Sequence, residues 1–125
     1  MSVASAGDVN GDGYADLIIG ASPADPDNKL DAGSSYVVFG KASGFTSAIN
    51  LSSLSGTTGF RLDGVAAGDF SGWSVASAGD VNGDGRADLI IGAFLADPNG
   101  NSAAGSSYVY FSPASGGATY RGTTL

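Results

Sequence analysis

Two short stretches of the sequence carry side-chain oxygens at a regular spacing. "DVNGDGYADLIIG" covers Asp8–Gly20 and "DVNGDGRADLIIG" covers Asp80–Gly92. Counted from its first aspartate, each stretch has oxygen-bearing side chains at positions 1, 3, 5 and 9 and a glycine at position 6. Glycine suits a sharp turn because its backbone is unhindered. The oxygen-bearing residues are Asp8, Asn10, Asp12 and Asp16 in the first stretch and Asp80, Asn82, Asp84 and Asp88 in the second.

Oxygens at alternate positions around a tight turn are typical of a cage of hard ligands for a divalent cation. Position 7 is Tyr14 in one stretch and Arg86 in the other, as expected where only the backbone carbonyl is used. Three carboxylates, an amide oxygen and a carbonyl suit Ca²⁺, which takes about 6–8 oxygen ligands. Mg²⁺ fits less well because it prefers to keep its waters. The pattern predicts two Ca²⁺ ions per chain.

Two other interpretations of these loops stay open. The first six residues also match an EF-hand loop or a dockerin repeat, but position 12 is Ile19 or Ile91 instead of glutamate, and "ADLIIGA" is strand-like instead of helical. The second is a metal-free turn, since Asn-Gly and Asp-Gly are strong hairpin signals. Mutual repulsion of three carboxylates within one short loop favours the cation over the metal-free turn.

The composition excludes several classes of function. The net charge is −7, and all twelve acidic residues are aspartate, the acid of turns and oxygen cages. Nucleic acids and anionic membranes require a basic patch and are therefore not expected as partners. The chain has no cysteine and no histidine, and no serine stands in a nucleophile setting. We therefore expect a protein that is not an enzyme.

Targeting and membrane signals are absent from the pattern. Residues 1–7, "MSVASAG", lack the positive start and the apolar core of a signal peptide. No apolar run approaches the roughly 20 residues of a membrane span. The chain as given is expected to carry no export signal and no membrane insertion.

The sequence contains an internal repeat. Ser2–Gly40 aligns with Ser74–Ser112 without a gap, with 29 identities in 39 positions. Beyond this block the copies diverge in length, and the ends match only weakly, with Phe60 placed against Tyr120. The repeat predicts two units, residues 1–72 including a link to the next unit, and residues 73–125.

Each copy is expected to form four short strands. The apolar "LII" run in the second strand indicates a central position, and the more polar fourth strand an edge. Duplicated four-stranded antiparallel units predict an all-β fold of two propeller blades, with an eight-stranded β-sandwich as the alternative. The predicted strands are Val3–Gly7, Ala15–Ala21, Ser34–Phe39 and Gly59–Asp63 in the first copy, and Val75–Gly79, Ala87–Ala93, Ser106–Phe111 and Thr119–Thr123 in the second.

The repeated block resembles the FG-GAP repeat of integrin α-subunit propellers and their bacterial relatives. "FSGWSVASAGD" (Phe70–Asp80) is similar to the "FG" half of that motif, and "GAFLADP" (Gly92–Pro98) and "GASPADP" (Gly20–Pro26) to the "GAP" half. The resemblance implies one Ca²⁺ in the hairpin between the first two strands of each blade. It implies two ligand sets, Asp8, Asn10, Asp12, the Tyr14 carbonyl and Asp16, and Asp80, Asn82, Asp84, the Arg86 carbonyl and Asp88.

The expected function is that of a calcium-binding scaffold or an interaction and adhesion unit. The family implies an extracellular or cell-surface setting and closed rings of about seven blades, whereas this chain supplies two. Uncovered blade faces predict a homo-oligomer, either three chains making six blades or four making eight. The alternative is a carbohydrate-binding propeller module, with Trp73, Tyr36 and Tyr108 as candidate contacts.

Overall fold

The computed structural model describes residues 1–113 and the backbone of residues 122–124, and these residues form two four-stranded antiparallel sheets. Each sheet joins consecutive strands in order, so the all-β prediction is confirmed and the arrangement is consistent with propeller blades. The described residues contain short 3-10 turns but no helix long and apolar enough to cross a membrane. The strands are β1 (Ser2–Gly7), β2 (Asp16–Ala21), β3 (Ser34–Val38), β4 (Gly59–Asp63), β5 (Ser71–Gly79), β6 (Asp88–Ala93), β7 (Ser106–Tyr110) and β8 (Gly122–Thr124).

The observed strands differ from the predicted ones mainly at their ends. β5 begins at Ser71, inside the segment that the sequence assigns to the link between the units. β8 pairs with β7 so that Thr123 lies opposite Val109, as Phe60 lies opposite Val37 in the first sheet. The match of Phe60 with Tyr120 is therefore wrong by three residues, because the copies lose their common spacing where the connections differ in length. Tyr120 itself lies outside the described residues.

The hydrophobic core lies between the two sheets. Side chains of neighbouring strand residues point to opposite faces, so each sheet offers one face to the other. In the first sheet Ile18 lies opposite Val37, and Val37 opposite Phe60, which places these three on one face within the core. From the second sheet Tyr110 is fully buried, and its ring centroid lies 5.3 Å from that of Phe60.

The face by which the second sheet packs on the first corresponds, in the first sheet, to the face that points away from the core. Leu89 is fully buried, whereas Leu17, its equivalent in the first copy, is 46% exposed. Val75 is 9% exposed, and its equivalent Val3 is 69% exposed. The same face is therefore covered by a neighbouring sheet in the second copy and uncovered in the first. We call the uncovered side of the first sheet, which carries Val3 and Leu17, the open face.

The start of β5 holds the two sheets together through close backbone contact. The N–H of Ser71 donates to the Ala32 carbonyl (2.9 Å), and the Ser2 hydroxyl donates to the Gly72 carbonyl (3.0 Å). A methyl group at Gly33 would overlap the Ser71 backbone. Gly33 also has a φ of +87°, a backbone conformation that residues other than glycine rarely adopt. This glycine permits the first sheet and β5 to approach closely.

Candidate metal centres in two loops

The structure places each predicted ligand set in one hairpin loop. Residues 8–15 connect β1 to β2, and residues 80–87 connect β5 to β6 in the same way, with Asp16 and Asp88 as the first residues of β2 and β6. In both loops the backbone turns through glycines with positive φ, +76° at Gly11 and +88° at Gly13, and +77° at Gly83 and +87° at Gly85. Left-handed backbone costs other residues roughly 1–2 kcal/mol, so the glycines are required by the turn itself.

The first aspartate of each loop is held by the loop's own backbone. Asp8 Oδ1 accepts a hydrogen bond from the N–H of Gly11 (2.8 Å), and Oδ2 accepts one from Gly13 (2.9 Å). Asp80 makes the matching contacts in the second loop, including one from the N–H of Gly85 at 2.8 Å. These donors stabilise the carboxylate, and they hold the pKa of Asp80 below its usual range, with the Gly85 N–H as the largest cause.

The middle residues of each predicted ligand set form successive side-chain turns at the loop surface. Asn10 Oδ1 accepts from the N–H of Asp12 (3.2 Å), and Asp12 Oδ1 accepts from the N–H of Tyr14 (2.9 Å). Arg86 N–H donates to Asp84 Oδ1 at 2.9 Å in the second loop. Asp12 is exposed, so its carboxylate can turn without disturbing the core.

The last aspartate of each loop is buried. Asp16 Oδ2 accepts from the N–H of Val9 (2.8 Å) and Oδ1 from that of Gly40 (2.8 Å), so it ties the loop to the end of β3. Asp88 is equally buried and accepts two backbone bonds in the same places. Burial is the largest cause of the raised pKa of Asp16; the two backbone bonds oppose the rise, and the charges of the loop's other aspartates add to it.

The donor chemistry of the loops fits calcium. A carboxylate offers about four lone-pair sites, and the backbone leaves one of these free on Asp8 and two on Asp16. The ion pair found in the described residues joins Arg61 to Asp63 (2.7 Å), away from both loops. Within those same residues no three acidic side chains are gathered closely enough to hold a metal. Coordination therefore requires the loop carboxylates to turn toward a common point.

The two loops touch each other, a contact that the sequence reasoning missed. The N–H of Ala87, in the second loop, donates to the Asp8 carbonyl in the first (3.0 Å). A methyl group at Gly11 would lie 3.2 Å from Arg86 Nε, so the arginine side chain rests on the first loop. The sequence comparison treated the side chain at position 7 as immaterial. In the structure it supplies a positive charge between two acidic loops.

The candidate sugar contacts lie in different parts of the fold. Trp73 packs on Phe94, with ring centroids 4.4 Å apart, and is 53% exposed. Tyr36 lies on β3 and Tyr108 on β7, where Tyr108 lines a narrow cavity beside Leu62. A role for Trp73, Tyr36 and Tyr108 in sugar binding stays a prediction.

Comparison with known proteins places the chain among repeat proteins. The FG-GAP repeat profile matches residues 1–38 and 71–110, which is more than half of the chain. Integrin alpha-PS2 of Drosophila melanogaster is 38% identical over 97 residues, which cover 74% of this chain and 6% of the relative. Integrin alpha pat-2 of Caenorhabditis briggsae is 35% identical over 97 residues, again 74% of this chain and 7% of the relative. The chain thus spans less than a tenth of these relatives' length.

Proposed function

Because the chain belongs to the FG-GAP repeat family, we propose that it is a non-enzymatic, calcium-binding β-propeller module that serves as a scaffold for adhesion or protein interaction. The observation that carries the proposal is the repetition of one ordered oxygen set on one loop geometry in both copies. Neither set is neutralised by an ion pair in the described residues. Arg86 brings one positive charge to the two loops, and a divalent cation in each loop would supply the rest.

The proposed ligands are those of the two loops. Calcium would neutralise the crowded carboxylates and fix each hairpin, which changes the formal charge of the chain from −7 to −3 with two ions. An ion that binds only the folded state also stabilises it, by about 2.7 kcal/mol per site at a hundredfold excess over Kd. The ion's proposed role is structural, since it supports the hairpin that connects the first two strands of each sheet.

We also propose an extracellular or cell-surface setting. The relatives that the chain matches are integrin α-chains by name. Calcium sites of extracellular modules typically have Kd values of about 10⁻⁴–10⁻³ M. Loops with three carboxylates and a partly backbone-saturated first aspartate would suit that range.

Calorimetric titration with Ca²⁺ tests the metal sites. We expect two ions per chain, and one in the Asp12→Ala and Asp84→Ala variants, because each substitution removes a carboxylate from a single loop. Asp27→Ala, which removes an exposed aspartate outside both loops, is the matched control and should still bind two. No heat on titration, or an unchanged stoichiometry in the loop variants, would show that the loops are metal-free turns.

Self-assembly is the second part of the proposal: another copy of the same chain would cover the open face. In the second sheet the face that carries Leu89 and Val75 is covered by the first sheet. The open face carries the same two residue types at the same positions, Leu17 and Val3. A surface that already packs on one blade in the chain is suited to pack on an equivalent blade of a neighbour. Such head-to-tail contacts close into rings when the rotation permits.

We propose three chains in a six-bladed ring, with four chains and eight blades as the alternative. Native mass spectrometry in calcium at micromolar protein gives the number of chains directly. Leu17→Asp should produce a folded monomer because it places a charge on the open face. Leu30→Asp, which changes another exposed leucine in the connection between β2 and β3, should assemble normally. A monomeric wild-type chain would rule the ring out.

A further inference from the structure

A cavity of about 410 Å³ opens at one end of the first sheet, beside the first metal loop. Its walls are residues of that loop, the end of β3 with the residues that follow, and the connection from β3 to β4. Cavities of roughly 300–1,000 Å³ are typical of small-molecule sites. We call it the insert cavity, because its outer wall is the connection that the second copy has only in a shorter form, residues 39–58 against residues 111–121.

The insert cavity is held open by its own hydrogen bonds. The N–H of Phe39 donates to the Thr58 carbonyl (3.0 Å), which closes the base of the connection. Asn50 Oδ1 accepts from the N–H of Ser52 (3.0 Å) and caps a short 3-10 turn in the outer wall. The Thr46 hydroxyl donates to the Ala48 carbonyl (2.8 Å). The wall is therefore organised before any ligand arrives, which reduces the entropy lost on binding.

One side of the cavity combines an aromatic ring with an unpaired cation. Phe45 is 46% exposed, and its ring is an apolar group on a connection rich in polar residues. Lys41 Nζ lies 5.7 Å from the centroid of that ring. Within the described residues Lys41 has no carboxylate at ion-pair distance. The ammonium group therefore stands at the cavity without an ion-pair partner among the described residues.

The remaining walls carry hydrogen-bonding groups as well as apolar ones. Asn10, Asp12 and Asn50 line the cavity together with Ile49 and Leu54. An entirely apolar ligand would bury these polar groups without partners, at a cost of about 1–3 kcal/mol for each one. A phosphate-bearing ligand, with about −1.5 to −2 charge, would meet a single lysine and the opposing charge of Asp12, whereas the single charge of a carboxylate is matched by Lys41. The walls favour a ligand with one apolar face, several hydroxyls and one carboxylate.

We propose that the insert cavity binds a sugar that carries a carboxylate, such as a uronic acid unit. The apolar face of the pyranose ring lies on Phe45, its carboxylate pairs with Lys41, and its hydroxyls bond to the amides of Asn10 and Asn50 and to the Asp12 carboxylate. This site is separate from Trp73, Tyr36 and Tyr108. Asn10 and Asp12 are also proposed calcium ligands, so their hydroxyl contacts rest on the proposed function. Lys41, Phe45 and Asn50 lie outside the metal loop, and the test is therefore directed at Lys41 and Phe45.

Nuclear magnetic resonance titration of the ¹⁵N-labelled 125-residue chain, in excess calcium, tests the site. The probes are D-galacturonate, its neutral counterpart D-galactose, and cyclohexanecarboxylate, an apolar anion without hydroxyls. We expect galacturonate to shift the amides of residues 41–58 with a millimolar Kd, and the other two probes to bind at least about tenfold more weakly. That ratio corresponds to the loss of one charge-assisted hydrogen bond or of the hydroxyl contacts.

Two variants and a matched control complete the experiment. Lys41→Gln and Phe45→Ala should each weaken galacturonate binding about tenfold, as expected for loss of a charged or stacking partner. Lys29→Gln makes the same charge change outside the cavity and should bind like the wild type. The absence of amide shifts with galacturonate would overturn the proposal. Equal binding of either other probe, unchanged affinity in both variants, or equal weakening in the Lys29→Gln control would also overturn it.

Discussion

Leucine-to-alanine substitution at the two equivalent β2 and β6 positions measures how differently the two copies are buried. Leu89 is fully buried between the sheets, and its loss should cost about 3–5 kcal/mol, since a cavity remains in a packed core. Leu17 is 46% exposed, so Leu17→Ala should cost about 1 kcal/mol or less in the isolated chain. Identical chemistry at aligned positions should therefore differ by at least about 2 kcal/mol.

The assay is urea unfolding in saturating calcium, followed by circular dichroism and by the fluorescence of the single tryptophan, at a protein concentration where the chain is monomeric. Leu30→Ala, at another exposed leucine, gives the baseline. If Leu89→Ala does not fold, Ile91→Val and Ile19→Val provide a milder pair, with about 0.5–1.5 kcal/mol expected at the buried site. Equal costs at both copies would refute the burial of one face and the openness of the other.

The same comparison extends to assembly. If rings form as proposed when the protein concentration rises, Leu17 would become covered by a neighbouring chain. The cost of Leu17→Ala should then rise toward that of Leu89→Ala, because burial and not chemistry separates the two sites. A cost at Leu17 that is independent of concentration, in a chain that demonstrably oligomerises, would place the contact on another surface.

Three further perturbations should give the following results. Excess chelator should lower the Tm of the wild type, as scanning calorimetry would show, and an unchanged Tm would argue that calcium adds no stability. Gly33→Ala should destabilise the chain far more than Gly105→Ala. Both positions have positive φ, but a methyl group at Gly105 would lie 3.2 Å from its nearest neighbour, whereas at Gly33 it overlaps the Ser71 backbone. Asp69→Asn should raise Tm at pH 7 more than at pH 3 in chelator. The pKa of Asp69 is raised, chiefly by burial and then by the charge of Asp97, so its ionisation lowers stability as pH rises above its ordinary value of 3.8. A gain independent of pH would contradict this assignment.

The sequence was sufficient for the local elements because local residues determine them. Short apolar runs between turn-forming residues predicted β2 and β3 to within one residue at each end. The fourth strand of the first copy, Gly59–Asp63, was predicted without error. Because the sequence repeats, the strands predicted for the first copy were placed at the equivalent positions of the second copy. It also predicted that each ligand set would occupy a single hairpin, since the spacing of oxygens along a loop is itself a local property.

Contacts between the copies could not be obtained in this way. Nothing in the sequence around Gly33 indicates that the Ser71 backbone will lie against it, because that contact depends on how the two sheets pack. The position of Arg86 on the neighbouring loop has the same origin. The register of β8 failed because the two connections differ in length, and the sequence holds no periodic signal across the difference.

The use of opposite faces by the two sheets gives the chain a direction. If copies join as proposed, the open face of one chain would pack on the second sheet of the next, so joined copies would all point the same way along the assembly. A chain carrying Leu17→Asp would keep the outer face of its second sheet, the face turned away from the first sheet, intact while its open face is blocked. Mixed in small amounts with wild-type protein, such a chain should act as a terminator, which occupies the end of a growing assembly and leaves no surface for the next addition. The yield of closed rings would then fall with the fraction of terminator added, and the arrested species would each hold one blocked chain at a defined end.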